Sequence, residues 1–104
     1  MNPSENGQAE RYRIIASGVI TGAIKLEQKR ARIDGKGEAF LSALEYVVAR
    51  MIHDPQNLGE AIFSLHAIDV VVHLAFVPPL AVEFGIHQHL PMIFLRRVSY
   101  IPQD

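Results

Sequence analysis

Four polar side chains in the second half of the chain are of types that do acid–base chemistry. His73, Glu83, His87 and Arg97 interrupt segments that are otherwise apolar. If these segments are adjacent strands, the four side chains can share one face of a sheet. A histidine beside a carboxylate can pass a proton, and a nearby arginine can stabilise a developing negative charge. The pattern therefore makes these four residues candidates for a catalytic cluster.

The same histidines and glutamate form a ligand set that suits zinc. The spacing argues against such a site, because the chain has no HExxH helix motif. His87 and His89 are two residues apart, but they fall in a predicted turn. A histidine in an apolar strand is also more often held by a hydrogen bond or exposed at an edge. We therefore predict no metal site and no cofactor, and the catalytic residues stay open.

Arg96 and Arg97 are the other polar interruption, inside the last apolar segment. One of these side chains must reach the exposed face of the sheet or pair with an acid such as Glu83. Arginine is favoured in both settings because its planar fork binds carboxylates through two hydrogen bonds. Both arginines are thus candidates for catalysis, for a structural ion pair and for contact with a partner.

Charge limits the partners. The chain has 10 lysines and arginines against 11 acids, a net charge of −1. Lys25, Lys29, Arg30 and Arg32 form a local basic run, but Glu27, Asp34 and Glu38 dilute it, so a solvated helix face is the favoured interpretation. Nucleic acid is not expected to bind directly with high affinity, since that needs a clustered excess of basic residues.

Length and composition predict one domain. The 104 residues are 49% hydrophobic and include no cysteine, which excludes disulfides and thiolate chemistry. Residues 1–10 are polar and predict a disordered leader rather than a signal peptide, followed by a single domain over 11–104. No apolar run approaches the length needed to cross a bilayer. We expect a cytoplasmic protein with no membrane partner.

Two helices are predicted in the first half. Residues 18–33 form the first, with Val19, Ala23, Leu26 and Ile33 at near-helical spacing. The second spans about residues 37–53 and has a broad apolar stripe. It ends before Pro55, because the residue preceding a proline is pushed out of the helical region. The apolar residues of the second helix are assigned to the core: Phe40, Leu41, Leu44, Val47, Val48, Met51 and Ile52.

Strands account for the rest. After Gly59 the apolar period changes from 3.6 to 2. The nearly all-apolar segment Val70–Val77 predicts a central strand covered on both faces. Pro78-Pro79 cannot lie within a central ladder and predicts a break. The element order is β-α-α-β-β-β(-β), an α+β fold with both helices on one face of a mainly antiparallel sheet. The other predicted strands are 11–17, 61–66, 80–87 and 92–101.

Several short motifs accompany this order. Asp54-Pro55 and Leu58-Gly59-Glu60 follow the second helix, and the segments 79–84 and 93–98 form later strands of the meander. In these motifs and in element order, residues 11–102 resemble the RelE/ParE superfamily of toxins from type II toxin–antitoxin systems. The resemblance implies a helical hairpin packed on an antiparallel sheet. It also implies an antitoxin that wraps the domain with an added strand or a docked helix.

The departures from this family bear on activity. Its ribosome-dependent members are basic and cut messenger RNA with Arg, Lys, Tyr or His side chains. Here Pro79 stands at the family's arginine and Val82 at its tyrosine, and only Arg96 and Arg97 lie where basic residues are expected. The resemblance therefore implies a domain that acts mainly by protein binding, as ParE-type members do. The alternatives are a divergent endoribonuclease using Arg96, Arg97 and a histidine, and a non-toxic homodimeric domain.

Partner binding also has an argument from composition. A two-helix layer covers only one face of a sheet, and a monomer rarely leaves a large apolar patch in water. We expect an antitoxin or a second copy of the chain to cover the other face, with Arg96, Arg97, Val71, Ala75 and Leu95 as its contacts. If the alternation holds, the apolar residues on that face are Val71, Ala75, Val77, Ile93, Leu95 and Ile101.

Overall fold

Two helices pack on one face of a five-stranded sheet. The structure, a computed structural model, describes residues 11–102, so the predicted leader at 1–10 lies outside them. The sheet order is β1-β5-β4-β3-β2, with β1 parallel to β5 and the other pairs antiparallel. The predicted α+β architecture is thus confirmed at this level. The elements are β1 Arg13–Ile15, α1 Gly18–Ile33, α2 Gly37–His53, β2 Glu60–Leu65, β3 Val70–Val77, β4 Leu80–His87 and β5 Met92–Tyr100.

Local signals set the ends of these elements. Ser17 caps α1, since its Oγ accepts a hydrogen bond from the backbone N–H of Ile20 at 3.2 Å. α2 ends at His53, and Pro55 begins a short 3₁₀ turn, Pro55–Asn57. Pro78-Pro79, joined by a cis peptide bond, forms the turn between β3 and β4, as the predicted break required. Both helices have the predicted bounds, whereas β1 is shorter than the predicted 11–17.

The buried face of α1 is not the one that its most widely spaced apolar residues mark. Val19, Leu26 and Ile33 are exposed, although their spacing suggested a core stripe. The helix instead turns Ile20, Ile24 and Ala31 towards the core, together with Glu27. The spacing of the apolar residues does not mark this face, because a glutamate occupies one of its buried positions.

Glu27 is buried because it satisfies the edge of the sheet. β1 pairs with Met92–Phe94 alone, so within the described residues the rest of β5 has no strand on its outer side. The backbone N–H of Tyr100, near the end of β5, donates to Glu27 Oε1 at 2.8 Å. Arg30 also donates to both carboxylate oxygens of Glu27, at 3.0 and 3.1 Å. A buried N–H without an acceptor is costly, so this carboxylate fixes how α1 is rotated on the sheet.

Tyr100 links the same edge to the end of α1. Its hydroxyl donates to Asp34 Oδ2 at 2.8 Å, and its ring meets Phe40 edge-on. Burial, and then the hydrogen bond and negative charge of Asp34, raise the pKa of Tyr100 above its ordinary 10.0. The folded protein therefore holds the phenol proton more tightly than the unfolded chain does.

We expect this proton to make stability pH-dependent at high pH. With the folded pKa raised, the contribution is complete below pH 10.0 and is lost as pH rises through the folded pKa. Urea denaturation between about pH 9 and pH 11 should show a steeper loss of stability in the wild type than in Tyr100→Phe. Tyr46→Phe, at an exposed tyrosine, is the control for the loss of a phenol group. Equal slopes for wild type and Tyr100→Phe would contradict the prediction.

A bulge decides which residues of β5 face the helices. Leu95 lies opposite Phe84 and Arg97 opposite Glu83, with a register shift between these pairs. Arg96 is the extra residue, so Leu95 and Val98 both pack against the core with two arginines between them. Ile93 and Leu95 were predicted to lie on the face of the sheet opposite the helices, and this prediction is wrong. The face under the helices contains Leu80, Val82, Phe84 and Ile86 of β4 and Ile93, Leu95, Val98 and Tyr100 of β5.

Candidate functional site

The five catalytic candidates lie at two places rather than one. His73 pairs in register with Phe84, which places it on the face covered by the helices. Glu83 pairs with Leu74 on one side and Arg97 on the other, on the opposite face of the sheet. We call that uncovered side the open face. Its defining residues are Phe63, Leu74, Phe76, Glu83, Arg96 and Arg97. His73 is thus on the wrong face for the predicted cluster with Glu83 and Arg97.

On the open face, the two arginines have different surroundings. Arg96 Nε donates to Glu83 Oε2 at 2.9 Å, and its guanidinium lies 5.7 Å from the ring centre of Phe63. Arg97 is exposed, and no acid among residues 11–102 lies within ion-pair distance of it. The structural ion pair foreseen for one arginine is therefore made by Arg96. Arg97 is the arginine available for a partner or ligand.

His73 is held rigidly on the helix-covered face. It is only 8% exposed, and its ring lies 5.5 Å from that of Phe84. Its Nδ1 is 3.1 Å from the carbonyl oxygen of Leu58. Because a carbonyl only accepts, Nδ1 carries the hydrogen and Nε2 is left as an acceptor or base.

His73 also lines a small cleft near the end of β4. The cleft has a volume of about 200 Å³. His87, which ends β4, accepts the backbone N–H groups of His89 and Leu90 on its Nδ1, at 3.1 and 3.0 Å. Its hydrogen is therefore on Nε2. The lining residues are Tyr12, Gln56, Val71, His73, Ile86, His87, Gln88, His89 and Leu90.

The cleft offers hydrogen bonds rather than charge. Tyr12 accepts a 2.7 Å hydrogen bond from Gln56, which leaves its own hydroxyl free to donate. With His73 Nε2 as acceptor and His87 Nε2–H as donor, the lining suits a small neutral polar molecule. Among the described residues that line it there is no arginine, lysine or carboxylate. Within residues 11–102, no three His, Asp or Glu side chains are arranged to hold a metal ion.

Three of the predicted partner contacts lie on the covered face. Ala75 is in the core, Leu95 packs against it, and Val71 lines the cleft on the same side. Their placement on the uncovered face was wrong for two reasons. β3 is apolar at nearly every position, so no polar residue marks its solvent side, and the bulge in β5 reverses the alternation beyond Leu95.

The open face has its own apolar residues, which the prediction missed. Phe63, Leu74 and Phe76 are 44%, 45% and 56% exposed. The second half of β3 is therefore covered by the helices on one face and exposed on the other. A signal was present in the sequence. The two-residue turn at Pro78-Pro79 pairs Val77 with Leu80, and counting back along both strands places Leu74 opposite the polar Glu83.

β2 gives the open face an unprotected edge. In the described part of the chain it pairs with β3 alone, and all its residues except Leu65 are exposed. Its register shifts between Ala61 and Phe63, which leaves Ile62 as a bulged, exposed residue. An apolar edge strand can pair with an extended segment of another chain.

No helix in the described part of the chain is long and apolar enough to cross a membrane. Comparisons with protein-family models, with curated proteins and with solved structures each found no match.

Proposed function

We propose that this domain acts by binding another protein through its open face and the adjoining β2 edge, as a RelE/ParE-like toxin-family domain without the nuclease residues. The partner is an antitoxin, a cellular target or both. The order β-α-α-β-β-β-β, with both helices on one face, agrees with what the resemblance implies and supports the proposal.

The observation that carries the proposal is the composition of the open face. Leu74 and Phe76 are about half exposed and lie two residues apart on the same face of β3. The neighbouring edge strand, β2, adds the exposed side chains of Ile62 and Phe63. Arg97 lies beside them across β4, without an ion pair among the described residues. Apolar side chains around one free arginine are typical of the core of a protein interface.

The charges of the open face disfavour the nuclease alternative. Glu83 neutralises Arg96 and lies opposite Arg97, so a phosphodiester bound at Arg97 would meet a carboxylate beside that arginine. Val82, at the position the resemblance assigns to a tyrosine, is buried beneath the helices. A divergent nuclease would have to rely on Arg97 alone among these candidates, because Glu83 holds Arg96 and both histidines line the cleft.

Growth after induced expression of the chain in a bacterial host tests the proposal. We expect arrest by the wild type with messenger RNA intact, and relief of the arrest by Leu74→Asp/Phe76→Asp, because two charges on the open face prevent partner docking. Leu41→Asp, a similarly exposed leucine on α2, is the matched control and should still arrest growth. Circular dichroism confirms that each variant folds.

Two outcomes would overturn the proposal. Cleavage of messenger RNA that is lost in Arg97→Ala would establish the endoribonuclease alternative. Normal growth with folded wild-type protein, together with a dimer in sedimentation that Leu74→Asp/Phe76→Asp dissociates, would establish the non-toxic homodimer instead.

A further inference from the structure

The most exposed large apolar side chains of the described chain form a line on α1, away from the open face. Val19, Leu26 and Ile33 are 82%, 59% and 78% exposed. They are seven residues apart, so they lie on one side of the helix over about 21 Å of its length. We call these three residues the α1 stripe. Such spacing is the seam that one helix presents to another.

The charges beside the stripe are of one sign. Lys25 and Lys29 lie on one flank of it and Arg30 on the other, at 100° of rotation per residue. Glu27 is the only acid in α1, and it is buried on the core side. Asp34, just past the helix, is bound by the hydroxyl of Tyr100. The acids that dilute the basic run in the sequence are therefore mostly turned away from it in the fold.

Three of the four cations have no internal partner. Arg30 is held by Glu27 through two hydrogen bonds. For Lys25, Lys29 and Arg32, no acid among residues 11–102 lies within ion-pair distance. Arg32 adjoins a shallow groove between the helices, which contains Glu38 and Leu41. The α1 stripe is thus apolar along its centre and positively charged beside it.

We propose that the α1 stripe is a docking site for an acidic amphipathic helix of another protein. Apolar residues of that helix would cover Val19, Leu26 and Ile33, and its flanking carboxylates would face Lys25 and Lys29. This surface is separate from the open face, so the inference stands independently of the proposed function.

Charge and shape select this occupant over others. A second copy placed symmetrically, α1 against α1, would bring its cations against the same cations. Helices that bind a lipid surface have a wider apolar face with aromatic side chains. The α1 stripe is one aliphatic residue wide, so it does not suit a lipid surface. Nucleic acid would satisfy the lysines but leave the apolar side chains without contacts.

Binding of a synthetic peptide to the full 104-residue chain tests the proposal. The probe is a fluorescent helical peptide of about 21 residues, with Leu and Ile at the first and fourth positions of each heptad and Glu at the flanking positions. Its counterpart carries Lys in place of Glu. By anisotropy, we expect saturable binding of the Glu peptide alone, weakened when sodium chloride is raised from about 50 to about 500 mM.

Matched substitutions locate the binding. Leu26→Asp should weaken binding of the Glu peptide by at least about tenfold, since it puts a negative charge, like those of the peptide, at the centre of the stripe. Ile68→Asp, in the turn between β2 and β3, should change the affinity by less than about twofold. Leu26 and Ile68 are 59% and 58% exposed, so thermal unfolding should show both variants folded.

Other results would overturn the inference. These are equal binding of the Glu and Lys peptides, or unchanged affinity in Leu26→Asp. Self-association of the wild type that Leu26→Asp abolishes would assign the stripe to a second copy. Sedimentation of the wild type, but not Leu26→Asp, with vesicles of phosphatidylcholine and phosphatidylglycerol would assign it to a lipid surface.

Discussion

Replacing Gly59 with alanine is expected to destabilise the fold by about 3 kcal/mol or more. Gly59 has a φ of +69°, in the left-handed region that costs an L-residue about 1–2 kcal/mol. An added Cβ would also strike the Leu74 carbonyl group and come within 2.8 Å of Ala75 Cα. These are backbone atoms of β3, so relief requires the sheet to move. Urea denaturation of the wild type and Gly59→Ala measures the difference.

Gly22→Ala is the matched control for this substitution. Gly22 lies within α1, and an added Cβ there meets no atom within 4 Å. Alanine should therefore stabilise the protein by about 0.5–1 kcal/mol, through its better helix propensity. Opposite signs for the two changes would show that position, rather than loss of a glycine, sets the effect. A Gly59→Ala protein within about 1 kcal/mol of the wild type would contradict the close approach of Gly59 to β3.

Removing the Glu27 side chain is expected to cost about 2–3 kcal/mol. In Glu27→Ala the backbone N–H of Tyr100 keeps its buried position and loses its only acceptor in the described chain. Arg30 loses its carboxylate as well, but that guanidinium is half exposed and can be hydrated. Because Glu27 fixes the rotation of α1, its removal should also weaken the packing of α1 on the sheet. The free energy of unfolding and hydrogen exchange at the Tyr100 amide measure both effects.

Two further variants separate the causes. Glu27→Gln keeps an acceptor oxygen for Tyr100 and loses only the charge, so its cost should be about 1 kcal/mol. Glu45→Ala removes an exposed glutamate from α2 and should stay within about 0.5 kcal/mol of the wild type. If Glu27→Ala were as mild as Glu45→Ala, Glu27 would not be what fixes α1 on the sheet edge.

The site was predictable residue by residue only in part. Arg96 was expected either to pair with Glu83 or to contact a partner, and the structure pairs it with Glu83. His73 and Glu83 were expected on one face and lie on opposite faces. The errors concern which face of the sheet a side chain occupies. The residues themselves were recognised as candidates, but their faces were not predicted correctly.

The sequence by itself determined the elements and their order. Ser17, Asp54-Pro55 and Pro78-Pro79 act on their immediate neighbours through hydrogen bonds and allowed dihedral angles, so local residues are enough to place the ends of both helices and the β3–β4 turn. Only the tertiary structure decided which faces are buried. That choice depends on contacts between distant residues. Because β1 pairs with only the first part of β5, the backbone N–H of Tyr100 takes Glu27 as its acceptor. This contact turns Glu27 towards the sheet and leaves Leu26 exposed to water. A single bulged residue, Arg96, likewise sets the faces of β5.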